Sequence, residues 1–132
     1  MSGDPYSKER QLARGERRYR RKVASAKEWQ RIIAAKQGPC RVCVRTLSNG
    51  GTPANAPHRV QFHHLVARIH GGDDLEENIV PVCLECHDFV TRREPHALHA
   101  LAASLSESER GYVLRKLGAD GYSRLFGVPA DA

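Results

Sequence analysis

Aromatic residues are scarce in this chain of 132 residues, which has one Trp, four Tyr, three Phe and a single Met. So few large apolar side chains exclude a generous core, and a domain built this way needs a further staple. No apolar run is long enough to cross a bilayer, and no secretory signal is recognisable. The expectation from these absences is a cytoplasmic protein. Cysteine is sparse as well: four residues, grouped as Cys40-x-x-Cys43 and Cys83-x-x-Cys86. The scattered cysteines of a disulfide scaffold are missing, and in a reducing compartment such pairs are metal ligands more often than disulfides. There are no internal repeats.

Positive charge is present and unevenly placed. Residues 1–39 carry 11 Lys/Arg against 4 Asp/Glu, whereas residues 40–132 carry 10 against 11. The net charge of +6 therefore sits in an N-terminal arm on a near-neutral body. A segment of this kind suits nucleic acid, whose phosphates it neutralises with release of counterions. Arg17, Arg18, Arg20, Arg21 and Lys22 form its densest cluster. The alternative is a solvated, Arg-rich helix with no partner.

Residues 1–22 read as a basic, flexible arm, 23–94 as the core, and 95–132 as a helical segment packed on it. In the stretch Lys8 to Gln37 the first half has almost no apolar face. The second half has one, with Val23, Ala26, Trp29, Ile33 and Ala34 at helical spacing. The expectation is a docked helix from Ala24 to Lys36, stopped by Gly38-Pro39. Thr46 to Pro57 is loop by composition. Arg59 to His64 alternates as a strand, and Ile79 to Val82 is a second, with Pro81 arguing for an edge. A helix follows from Leu84 to Arg93, ended by Glu94-Pro95. Beyond it Ala97, Leu98, Leu101, Ala102 and Leu105 give one apolar face. Ser106-x-x-Glu109 is a capping box opening another helix, which Gly118 is placed to end. The fold class is α+β.

Together Cys40, Cys43, Cys83 and Cys86 complete a tetrahedral four-thiolate zinc site. Four thiolates leave no open position, so one Zn2+ held here is structural, and its binding energy becomes folding energy. A redox pair, the competing reading, usually opens a helix in a thioredoxin-like unit, and nothing in the sequence suggests one. His63, His64 and His87 lie outside that filled shell. They are either ordinary histidines beside a zinc knuckle or a second site on the same scaffold, since His87 follows Cys86 directly.

The order His63-His64, then Gly71-Gly72-Asp73, then Asn78, then Cys83-x-x-Cys86-His87 resembles the HNH endonucleases. More closely it resembles small phage and prophage members that carry two zinc-binding C-x-x-C pairs. With the W-x-x-I-I helix before Cys40 the resemblance covers roughly residues 27–93. It implies a ββα-metal (His-Me finger) core stapled by the four-cysteine zinc and flanked by N- and C-terminal helices. It implies His63 and His87 as ligands of a catalytic divalent ion, Mg2+ or Mn2+ before Ni2+ or Zn2+. It further implies His64 as general base and Asn78 as the residue that braces the loop and orients that base. An imidazole titrating near neutrality can take a proton from water, which suits the role. Many relatives have proline where this chain has Ala67, and no histidine stands at Thr91, one turn after His87.

The resemblance implies hydrolysis of DNA phosphodiester bonds, by nicking or double-strand cutting. From its phage relatives it also implies terminase subunits as partners and a bacterial host cytoplasm. A zinc module that binds nucleic acid without cutting it is the rival, and a restriction or toxin nuclease a second. Arg68, Arg92 and Arg93 flank the proposed site and serve equally as phosphate contacts or as ordinary surface arginines. Asp73 and Asp74 read as turn residues beside Gly72. Adjacent strand residues face opposite sides, so for both His63 and His64 to serve one site the backbone must turn irregular at Leu65–Val66.

Overall fold

The computed structural model describes residues 21–43 and 60–131. The expected loop at Thr46 to Pro57 and most of the basic arm, including Arg17, Arg18 and Arg20, lie outside the described residues.

The first element, α1 (Ala26–Ala35), starts one residue after Ser25, which caps it. Ser25 Oγ accepts from the Glu28 amide at 3.1 Å, and Glu28 Oε1 accepts from the Ser25 amide at 3.0 Å. This reciprocal capping box satisfies two of the helix's orphan donors. The helix buries Ile32 and leaves its opposite face in solvent.

Strands β1 (Val60–His64) and β2 (Ile79–Cys83) pair antiparallel, with His63 opposite Val80 and His64 opposite Ile79. Every residue of β2 is buried. A two-stranded sheet is not stable alone, and this one shares its core with three helices. The first is α2 (Leu84–Thr91), which grows directly out of β2. It is followed by α3 (Pro95–Ser104) and α4 (Glu107–Phe126). The two strands and α2 form the ββα unit, and its core joins Val80, Val82 and Val90 to Leu98, Leu101, Val113, Tyr122 and Phe126.

Pro95 does more than stop α2. It occupies the first turn of α3, where its missing N–H would have no partner in any case. Arg93, with φ 61, makes the reversal between the two helices. Its guanidinium donates to the carbonyl of Arg124 at 2.6 Å, near the C-terminus of α4. The expected break at Gly118 is present: φ 74 and ψ 174 interrupt the helical backbone, and Gly127 (φ 74) caps the final turn.

One carboxylate ties the ends of the molecule together. Glu109, 1% exposed, completes the Ser106 capping box and receives Lys36 Nζ at 2.5 Å and both Arg41 nitrogens at 2.7 and 2.9 Å. It links α1 and the first cysteine pair to α4. Among the described residues no helix is long and apolar enough to cross a membrane.

Candidate active site and metal centre

The loop from Leu65 to Asn78 reverses the chain between β1 and β2 and is held from inside. Asn78 is fully buried. Its Oδ1 accepts from the Val66 amide at 2.8 Å, and its Nδ2 donates to the carbonyls of Val66 (3.1 Å) and Asp73 (2.9 Å). One carboxamide thus braces both limbs of the loop. The backbone bends at Leu65–Val66, as required if the strand is to release His64 there. Gly71 sits at φ 86, a region that favours glycine. A Cβ on Gly72 would collide with the Val66 carbonyl oxygen, so the loop can close this tightly only with glycine.

The structure brings His63 and His87 together. Their rings meet edge to face with centroids 5.3 Å apart and an interplanar angle of 76°. Burial, then the neighbouring His87 and His64, holds His63 down to about 4, so its imidazole is neutral at ordinary pH. A neutral imidazole is the form that ligates a metal.

His64 faces a different set of partners. Its Nε2 lies 2.9 Å from Asp74 Oδ1. Asp74 is 3% exposed and also accepts from the Ala24 amide and from Arg21 Nη1, each at 3.0 Å. Burial works against ionisation here, but the Ala24 amide, His64 and Arg21 overcome it and hold the Asp74 carboxyl down to about 2. An ionised carboxylate only accepts, so the proton of neutral His64 sits on Nε2 and Nδ1 keeps its lone pair. Arg68 Nε, 3.4 Å from the same Nε2, is therefore an ion-pair partner of Asp74 (3.4 Å) and not a donor to the ring. Burial outweighs the Asp74 contact and lowers the His64 pKa below its ordinary value. The Trp29 ring lies parallel to the imidazole, with centroids 5.8 Å apart and planes 8° from parallel.

Asp73 anchors the loop from the other side. Its carboxylate accepts from the Lys22 amide (2.6 Å) and the Tyr112 hydroxyl (2.6 Å) and pairs with Lys116 (3.0 Å). Arg21 and Lys22, read from sequence as DNA contacts, are thus held against the loop, with Arg21 also donating to the Gly72 carbonyl at 3.2 Å. Arg68 is exposed over Trp29, Arg92 pairs with Asp88 at 3.2 Å, and Arg93 is occupied at the end of α4.

Beside the histidines, the Sγ atoms of Cys40, Cys43, Cys83 and Cys86 all lie within 4.8 Å of one another. In a tetrahedral site with arms of about 2.3 Å, ligand sulfurs stand about 3.8 Å apart. Cys43 and Cys83 are 3.9 Å apart. The amides of Val42 and Cys86 donate to the sulfurs of Cys40 and Cys83, both at 3.4 Å. Burial, together with the crowding of neighbouring sulfurs, raises Cys43 to about 12 and pushes Cys86 up as well. Four sulfurs at this separation could hold a cation, and the donor set fits zinc. Cys83 caps α2, Cys86 lies in its first turn, and His87 follows.

Two of these partners are invisible in local sequence. Asp74 looks like a turn residue, and nothing short-range shows that it reaches back ten positions to His64. Trp29 looks like one more residue of an apolar helix face. The signal that does exist is Ser25-x-x-Glu28, a capping box that fixes where α1 begins.

No curated protein and no solved structure matched the chain. Residues 40–93 match the family model described as HNH endonuclease, a family that hydrolyses nucleic acids. That stretch contains both cysteine pairs, both strands, the braced loop and α2, and it is this segment of the chain that is similar to the HNH endonucleases.

Proposed function

We propose that this protein is a metal-dependent HNH endonuclease that hydrolyses phosphodiester bonds in DNA. The observation that carries the proposal is the placing of two differently held histidines side by side at one bent strand end, the first of them against His87 of the helix that follows. His63 and His87 meet ring to ring, while His64 is held by its Nε2 edge with Nδ1 left as acceptor. In this reading His63 and His87 hold a catalytic divalent ion, Mg2+ or Mn2+, and the four cysteines hold one structural Zn2+.

Nδ1 of His64 takes a proton from the attacking water as its oxygen bonds to phosphorus and the bond to the 3′ oxygen breaks. Asp74 stabilises the imidazolium that forms and keeps the ring oriented. Asn78 holds the loop that carries both. When bound, the divalent ion supplies positive charge to the phosphate and to the departing oxygen. The basic N-terminal arm and exposed Arg68 and Arg92 give the DNA backbone its grip. The likeness to small phage members with two C-x-x-C pairs extends the proposal to a terminase-associated nicking or cutting step in the bacterial cytoplasm.

Supercoiled plasmid incubated with protein and Mg2+ or Mn2+ tests the reading. Wild type should give relaxed or linear product that EDTA abolishes and that His87→Ala reduces. If wild type shifts DNA yet leaves plasmid intact with either ion, the chain is a zinc-bearing binding module and the enzyme reading fails.

A further inference from the structure

We propose that Trp29, on α1 and outside the family-matched segment, is a positioning residue for His64, holding the imidazole by its face while Asp74 holds it by its edge. The inference rests on the nuclease reading above and adds a part that residues 40–93 do not contain.

A single hydrogen bond from Nε2 fixes where one edge of the imidazole lies but leaves the ring free to turn about that contact. A flat surface packed parallel to the ring removes this freedom. The Trp29 indole supplies it, 8° from parallel at 5.8 Å. The remaining neighbours also suit this role. Ile32, not Trp29, is the residue of α1 that enters the core, and the indole stays half-buried over a polar ring. The guanidinium of Arg68 lies 5.7 Å from the indole centroid. An indole serving only to anchor a helix would pack among aliphatic side chains.

The approach of α1 is set by the same carboxylate that holds His64. Asp74 accepts from the amide of Ala24, two residues before α1 begins, and from Arg21. The Lys22 amide bonds Asp73. Edge and face of the imidazole are thus referenced to one loop, and α1 is locked to it by the Ser25–Glu28 box. Misplacing a reacting group by about 1 Å can cost roughly a hundredfold in rate.

Trp29 is the sole tryptophan, which allows the contact to be read with and without catalysis. In the folded, zinc-loaded protein His64→Ala should change the Trp29 emission intensity, and the difference should vanish in denaturant. Identical native emission from the two proteins would overturn the stack. In cleavage, Trp29→Leu should lower kcat roughly tenfold or more with KM for DNA within about twofold. Trp29→Phe, which keeps a flat ring, should recover most of that loss. A raised KM at unchanged kcat would make Trp29 a DNA contact and overturn the proposal. So would equal losses in the Phe and Leu variants at matched thermal stability. If Trp29→Leu does not fold, Trp29→Phe and the emission comparison decide. If wild type cuts nothing, the nuclease reading falls, while emission still reports the stack on its own.

Discussion

Replacing Glu109 by Gln should cost about as much stability as any single isosteric change in this chain. The side chain is 1% exposed and faces Lys36 and Arg41, themselves only 13% and 26% exposed. Burial works against its charge, but Arg41, then Lys36 and the Ser106 amide, hold the carboxyl down to about 2 from an ordinary 4.5. That depression corresponds to about 3 kcal/mol in favour of the charged folded form. Breaking a buried pair by removing one partner typically costs about 3–5 kcal/mol, so the two routes agree. Gln keeps the oxygen that accepts from Ser106, so the helix cap survives and the loss isolates the charge. In a domain of this size about 3 kcal/mol lowers the melting temperature by roughly ten degrees. The pH dependence has a definite sign. With a folded pKa below the unfolded one, the stabilisation is fully present above about pH 4.5 and fades as pH falls through about 2. Urea unfolding of wild type and Glu109→Gln at matched zinc content, at pH 7 and near pH 3, provides the assay. Zinc loss in acid affects both proteins, so the quantity to follow is the difference between them. A difference below about 0.5 kcal/mol at pH 7, or one that grows in acid, would refute the reasoning.

Purified protein should carry about one zinc per chain by elemental analysis. Cys86→Ser should lose the metal and most of the cooperative melt, whereas a metal-free but fully folded wild type would rule out the four-thiolate site. Binding to duplex DNA should weaken steeply with salt, and removal of residues 1–20 should flatten that slope, because this stretch carries six Lys/Arg against three Asp/Glu. Arg21 and Lys22 are kept in that truncation because they hold the Asp73–Asp74 loop. An unchanged slope would remove the arm from the DNA interface.

The features legible from sequence were those governed by short-range rules. The cysteine spacing foretold a four-sulfur cluster, and Ser106-x-x-Glu109 foretold where α4 begins. Gly118 foretold the break inside α4 because φ near +74 favours glycine. The irregular backbone after His64 followed from strand alternation once the family resemblance had assigned both His63 and His64 to one site. Long-range contacts stayed hidden. Glu109 satisfies its own capping box and so conceals its ion pairs with Lys36 and Arg41, more than sixty residues away. Asp74 suits a turn on its own terms, which masks its bond to His64. Pro95 was legible as the stop of one helix but not as the start of the next, since both roles ask for the same residue.

The central claim is that His64 acts as the base in a frame that zinc holds together. The most direct test compares single-turnover cleavage of a DNA duplex by wild type and His64→Ala, with zinc content and DNA affinity measured on the same samples. The variant should cut at least a hundredfold more slowly, with zinc and affinity unchanged. Cleavage by His64→Ala at the wild-type rate would contradict the claim.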